Sequence, residues 1–149
     1  MTEREEIREL LARYADGVNR RDIDAWSEVW MEDGISITNG VVKREGREAI
    51  VALYAKAMNN TESMLQLVHN GYIDVDGDSA KGRWYVSEHH GLGDGKSIYL
   101  IGVYQDRYVR TTQGWKFAER HFDQLYLENR GSEKSGTAFP FPGNRVQYR

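Results

Sequence analysis

The 149-residue sequence has no cysteine and only two prolines, and each shortage narrows what the chain can be. Without cysteine there is no disulfide framework, thiolate zinc site, iron–sulfur cluster or cysteine nucleophile. Basic charge is also short: 20 Lys and Arg stand against 23 Asp and Glu, a net charge of -3. Nothing is left over to neutralise a nucleic-acid backbone or an anionic bilayer, so neither is an expected partner. No run approaches the roughly 18 apolar residues of a membrane span. The start, Met1-Thr2-Glu3-Arg4-Glu5-Glu6, is charged and lacks the apolar stretch of a signal peptide. A cytoplasmic protein is the simplest expectation. Gly-x-Gly-x-x-Gly, Gly-x-Ser-x-Gly and His-Glu-x-x-His motifs are absent, which removes support for nucleotide-binding, serine-hydrolase and zincin readings. The run His90-Gly91-Leu92-Gly93-Asp94-Gly95-Lys96-Ser97 imitates a phosphate-binding loop, but His90 stands where the first glycine belongs. It reads as a hairpin turn between two strands.

What is present is an ordinary globular balance, 40% apolar and 29% charged, in a length that suits one core. Pro140 and Pro142 lie near the end, so regular elements can fill the chain before them. Thr2 and Glu5 form a capping box, after which Ile7, Leu10, Leu11, Tyr14, Ala15 and Val18 recur at helical spacing. A short second helix is expected from the cap Asp22, carrying Ile23, Trp26, Val29 and Trp30 inward until Asp33-Gly34. A third is expected from Arg47 to Met58. Asn39-Gly40 suggests a hairpin between Ile35-Ser36-Ile37 and Val41-Val42. After Asn60 the period shifts to two, with turn signals at Asp76-Gly77, Gly93-Asp94-Gly95 and Gln113-Gly114. Strands are expected over 63–75, 80–92, 97–111 and 115–127. Three N-terminal helices followed by long strands predict an α+β domain over residues 1–130, a cone made by a strongly curved, mostly antiparallel sheet. Residues 131–149 read as an irregular tail.

The order and several local motifs resemble the SnoaL-like branch of the nuclear transport factor 2-like superfamily. Its members include scytalone dehydratase, hexachlorocyclohexane dehydrochlorinase and bile-acid 7α-dehydratase. The matching pieces are Arg13-Tyr14-Ala15-Asp16-Gly17-Val18-Asn19, Asp22 with Trp26 and Trp30, and Gly46-Arg47-Glu48-Ala49-Ile50. Further along are His69, Gly82-Arg83-Trp84-Tyr85 and Gly114-Trp115-Lys116-Phe117. The resemblance implies a small-molecule pocket inside the cone. It also implies a tail that covers the pocket mouth or a neighbouring subunit.

In the lyases of this group a histidine on the first long strand is the general base, oriented by an aspartate near the end of helix one. The resemblance assigns that base to His69, while the aspartate position is Asn19. Asparagine accepts a hydrogen bond but does not stabilise an imidazolium; in serine proteases the equivalent change costs about 10⁴ in rate. Glu88, where the bile-acid dehydratase resemblance puts an acidic pocket residue, is the candidate substitute. Tyr14 is implied to point its hydroxyl into the cone, where a neutral phenol donates to a carbonyl or enolate. Arg120 and Phe122 share one side of the last strand and line the pocket in dehydrochlorinase-like members. Trp115, Phe117 and His121 are expected on the outer side. Trp84, Tyr54, Trp30 and Tyr104 are further candidate substrate-binding residues. A metal site would need His69, Glu88 and His90 to converge without supporting spacing, and no metal or other cofactor is expected.

These residues suggest a cofactor-independent lyase, of dehydratase or elimination type, for a hydrophobic cyclic or aromatic substrate. An isomerase or polyketide-type cyclase would use the same base, and Asn19 favours a third reading, a non-catalytic binding module. An outer sheet face bearing Trp115 and Phe117 would need a cover, which predicts a homodimer or homotrimer.

Overall fold

The capping box at Thr2 is formed: the Thr2 hydroxyl accepts from the Glu5 backbone, and the Glu5 carboxylate accepts from the Thr2 N–H at 2.6 Å. It starts α1 (Glu3–Arg20), whose apolar stripe is the one the spacing predicts. The structure, a computed structural model, describes residues 1–131 and 136–148. Asp22 caps α2 (Ile23–Glu28), which is shorter than expected. Val29 and Trp30 leave the helix because the Phe117 N–H donates to the Val29 carbonyl, which draws the chain into β1 (Trp30–Thr38). Asp33-Gly34 therefore lies inside a strand rather than at a helix end.

Asn39 and Gly40 both have positive φ, 52° and 70°, and turn β1 into β2 (Val42–Glu45). That pair of left-handed positions is why Asn-Gly is preferred in two-residue hairpins. Then come α3 (Arg47–Asn59), β3 (Ser63–Asp76), β4 (Ser79–Gly93), β5 (Lys96–Thr111), β6 (Gly114–Arg130) and the short β7 (Thr137–Ala138). The sheet order is β2-β1-β6-β5-β4-β3, with β7 on β6; β1 runs parallel to β6 and every other pair is antiparallel. The observed fold is thus α+β, a mostly antiparallel sheet with its helices on the inner face. The loop resembling a phosphate-binding motif is the β4–β5 hairpin, with Gly93, Asp94 and Gly95 at positive φ.

Several register shifts break the alternation of the strands, and two of them shape the inner face. At Ala118 one extra residue lies between the pairs Tyr108–Phe117 and Arg107–Glu119. Phe117 and Arg120 consequently both face inward, and Trp115 and Phe117 are buried in the core. This corrects the expectation that they lie on the outer face, an expectation that assumed unbroken alternation. The second bulge separates Val68–Val86 from Gly71–Trp84. A Cβ on Gly71 would meet the Trp84 ring at 2.4 Å, so that position leaves no space for a side chain.

The core is aromatic at the closed end of the cone. Trp30, Tyr108 and Phe117 are fully buried there, and Phe117 packs 5.4 Å from Tyr14 and 5.5 Å from Trp30, ring centre to ring centre. Such rings carry much of the burial free energy, about 1.5–3 kcal/mol for each large side chain removed from water. The described tail residues cross the outer face of the sheet. Gln105 donates to the Gly143 carbonyl, the Arg145 guanidinium meets Asp123 at 3.0 Å, and Val146 is buried. They add no residue to the cavity described below. Residues 132–135 of the expected irregular stretch lie outside the described residues. Among the described residues no helix is long and apolar enough to cross a membrane.

Candidate active site

Above the packed end, the inner face of the sheet and the helices leave a cavity of about 180 Å³. Val18, Trp26, Ile50, Leu53, Tyr54 and Ala57 form its helical wall; Ser36, Thr38, Gln66, Glu88, Tyr104, Arg120 and Phe122, from the sheet, and Tyr14 complete it. Trp26 and Tyr54 stack at 4.1 Å and 19°, giving one wall a flat aromatic surface.

A chain of hydrogen bonds runs along the floor. The Trp84 indole donates to the Tyr108 hydroxyl at 2.9 Å, and that hydroxyl donates to Asp106 at 2.8 Å. Asp106 also receives two bonds from Arg120, at 2.8 and 3.1 Å. Both members of this ion pair are buried, at 2% and 0% side-chain exposure. The guanidinium lies 3.4 Å from the Tyr104 ring centre and 4.2 Å from that of Tyr14, a cation against two π faces. Burial opposes the Arg120 charge, but Asp106 and the surrounding phenols hold its pKa above the ordinary value. Burial likewise pushes the Asp106 carboxyl up, against the opposing pull of Arg120.

At the wide end Gln66 is the hub. Its Nε2 donates to Glu88 Oε1 at 2.9 Å and to the Tyr104 hydroxyl at 2.8 Å. Among the described residues no hydrogen bond reaches the other Glu88 oxygen, and Glu88 lines the cavity. Burial raises the phenols of Tyr14, Tyr54 and Tyr104, with Arg120 opposing the rise at Tyr14. All three are therefore neutral donors near pH 7.

The sequence-predicted residues divide between this cavity and other places. Tyr14, Glu88, Arg120, Phe122, Tyr54 and Tyr104 line it. His69 does not: it is exposed on the outer face of β3, with Nε2 2.7 Å from the Ser87 hydroxyl. Asn19 does not reach His69. Its side chain brackets the backbone of Gln66, donating to the carbonyl at 3.0 Å and accepting from the N–H at 2.6 Å. The residue that the end of α1 holds into the cone from β3 is thus Gln66, three positions before His69. Trp84 and Trp30 are core residues rather than cavity walls, Trp84 committed to Tyr108 and Trp30 packed among Tyr14, Trp26 and Phe117. His90 approaches Glu88 Oε1 at 3.9 Å, but His69 is across the sheet. Among the described residues no group of three or more His, Cys, Asp or Glu could hold a metal ion.

Gln66 and Asp106 were missed from sequence. Neither carried a clear sequence signal: both parities of β3 near Gln66 are apolar, and only the structure shows Gln66 on the buried side with Met64 and His69 on the exposed side with Leu65 and Leu67.

Residues 1–121 match the family model described as a SnoaL-like domain. The chain belongs to the SnoaL-like domain family. A curated relative of this SnoaL-like protein, the uncharacterized Rv2910c of Mycobacterium tuberculosis, is 25% identical over 123 residues, which are 80% of this chain and 84% of the relative. Two solved structures from Novosphingobium aromaticivorans are similar. One, named as a candidate aromatic ring hydroxylase, is 27% identical with a TM-score of 0.80, covering 85% of this chain and 92% of that one. The other, named as an NTF2-like protein with a cystatin-like fold, is 29% identical with a TM-score of 0.70, covering 87% and 83%. Hexachlorocyclohexane dehydrochlorinase LinA-type3 from Novosphingobium barchaimii matches at 21% identity and a TM-score of 0.74, covering 93% and 94%. At that identity it shows the shared fold alone.

Proposed function

We propose that this protein is a cofactor-independent lyase of dehydratase or elimination type for a hydrophobic cyclic or aromatic small molecule, with Glu88 as the proton-transfer group. The observation that carries the reading is the exchange of roles on β3 and β4. Asn19 and Gln66 are both amides and do not take a proton at neutral pH, while Glu88 is a carboxylate at the same end of the cavity, held by Gln66 and with no hydrogen bond at its second oxygen among the described residues.

In this reading the substrate carbonyl oxygen lies against the Arg120 guanidinium and the Tyr14 hydroxyl. Glu88 removes the proton from the carbon beside that carbonyl, and the electron pair of the C–H bond moves into an enolate whose negative oxygen the two donors stabilise. Return of the pair expels a hydroxyl from the next carbon, and the Glu88 carboxylic acid gives its proton to it, so that water leaves and Glu88 is restored. An isomerase would use the same first step and return the proton to another carbon. The apolar helical wall excludes competing water from the enolate. The expected cytoplasmic setting and homodimer or homotrimer belong to the same proposal, with exposed Leu65, Leu67 and Tyr72 of β3 supplying the apolar outer surface in place of Trp115 and Phe117.

The test needs no knowledge of the natural substrate. In deuterated water, the protein should accelerate exchange of the hydrogens beside the carbonyl of 3-hydroxycyclohexanone, followed by proton NMR, and should form cyclohexenone. Glu88→Gln should lose at least 10² of the exchange rate, the usual share of a general base. Exchange at the buffer rate with wild-type protein, or at the wild-type rate with Glu88→Gln, would contradict the proposal. Exchange without water loss would convert it to the isomerase reading.

A further inference from the structure

We infer that the cavity selects neutral ring compounds carrying an oxygen acceptor next to a hydrogen-bond donor, and discriminates against carboxylates. The inference rests on the proposed reading of this cavity as the substrate site and specifies the class of molecule that fills it.

Three side chains on the cavity wall, each 2% exposed, hold a polar atom that no protein group satisfies: Nη1 of Arg120, Nε1 of Trp26 and Oε1 of Gln66. Two are donors and one is an acceptor. A buried polar atom without a partner costs about 1–3 kcal/mol, so a ligand that supplies the matching groups removes a penalty already present in the empty protein. Arg120 asks for an oxygen, and Gln66 asks for an O–H or N–H. The buried Tyr54 hydroxyl, also unpartnered, adds a fourth polar contact, beside the Trp26 indole on the helical side.

Charge decides between a neutral oxygen and a carboxylate. An arginine facing a pocket is ordinarily read as a carboxylate clamp. Here its charge is already matched by Asp106 through two hydrogen bonds, and Asp106 is itself held by Tyr108. Arg21, the other cation near this end, is committed to the backbone carbonyls of Met58 and Thr61. The remaining acid at the cavity is Glu88, which has the Gln66 amide as donor and His90 3.9 Å away but no Arg or Lys partner among the described residues. A second carboxylate in this small space would repel it and lose its own hydration without gaining an unpaired cation.

Size sets the rest. An apolar cavity of about 150 Å³ accepts benzene. The one here, about 180 Å³ with the Trp26–Tyr54 stack as a wall, fits one six-membered ring with one or two small substituents.

The test is calorimetric titration of the full chain with three rings of nearly equal shape: benzamide, with acceptor and donor; benzoate, charged; and toluene, apolar. Benzamide should bind at least tenfold more tightly than either of the others. Gln66→Leu, which removes the orphan acceptor, should reduce the benzamide-to-toluene preference to about twofold or less. If Gln66→Leu fails to fold, the wild-type ratios decide the proposal alone. Benzoate binding as tightly as benzamide, or toluene matching it, overturns the inference while leaving the cavity as the substrate site. Failure of all three rings to bind overturns both.

Discussion

The two ends of the sheet's inner face treat polar groups in opposite ways. At the closed end the ionised and hydroxyl groups are paired, since Trp84 gives to Tyr108 and both Tyr108 and Arg120 give to Asp106, while the buried Trp30 and Trp115 indole N–H groups lie unpartnered among the aromatic rings. At the wide end the pairing is incomplete, with Gln66 Oε1, Arg120 Nη1, Trp26 Nε1 and the Tyr54 hydroxyl unpartnered. The first arrangement holds the cone together, and the second is a site waiting for a ligand. Arg120 belongs to both, its Nε and Nη2 bound to Asp106 and its Nη1 without a hydrogen-bond partner. The contrast teaches that function here is written as unsatisfied bonding capacity rather than as a recognisable catalytic dyad.

Substitutions at the two ends should therefore separate stability from activity. The largest loss is expected from Asp106→Ala, which leaves the Arg120 charge buried and unpaired: about 3–5 kcal/mol, read from urea unfolding. Glu88→Gln should instead leave the unfolding midpoint close to wild type and lower hydrogen exchange on the cyclic ketone by 10² or more, equivalent to about 2.7 kcal/mol at the barrier. High pH comes next. The buried phenols of Tyr14, Tyr104 and Tyr108 have pKa values raised by desolvation above the ordinary 10.0. Below pH 10 they are protonated in both folded and unfolded chains and cost nothing. Above it only the unfolded chain ionises freely, so stability falls by about 1.4 kcal/mol per buried phenol at one unit above that pH. Tyrosinate absorbance from these rings should then appear together with unfolding, and Tyr108→Phe should recover one phenol's share. The smallest effect is expected from His69→Ala, within about 0.5 kcal/mol in stability, as for an ordinary surface position.

Much of the fold was legible because its signals are local. The Thr2–Glu5 capping box, the Asn39-Gly40 turn and the glycine hairpins each act over a few residues, and the structure forms them where the spacing puts them. The end of α2 was not, because it is set by the Val29 carbonyl pairing with Phe117 far along the chain. The inward directions of β6 were half legible. Alternation gives Arg120 and Phe122 correctly, but the bulge at Ala118 reverses the side on which Trp115 and Phe117 fall, and a bulge leaves no mark in an alternating pattern. The candidate site was legible in Tyr14, Glu88, Arg120 and Tyr104. It was obscured at His69 because Met64-Leu65-Gln66-Leu67-Val68 is apolar on both faces, so alternation alone does not tell which side of β3 turns inward. Asn19 is intelligible only with the structure, since its partner is backbone 47 residues away.

The most direct test of the central claim is hydrogen exchange on 3-hydroxycyclohexanone measured side by side for wild type, Glu88→Gln and His69→Ala. The account predicts that His69→Ala stays within about twofold of wild type while Glu88→Gln falls by 10² or more. The reverse, loss with His69→Ala and none with Glu88→Gln, would contradict it.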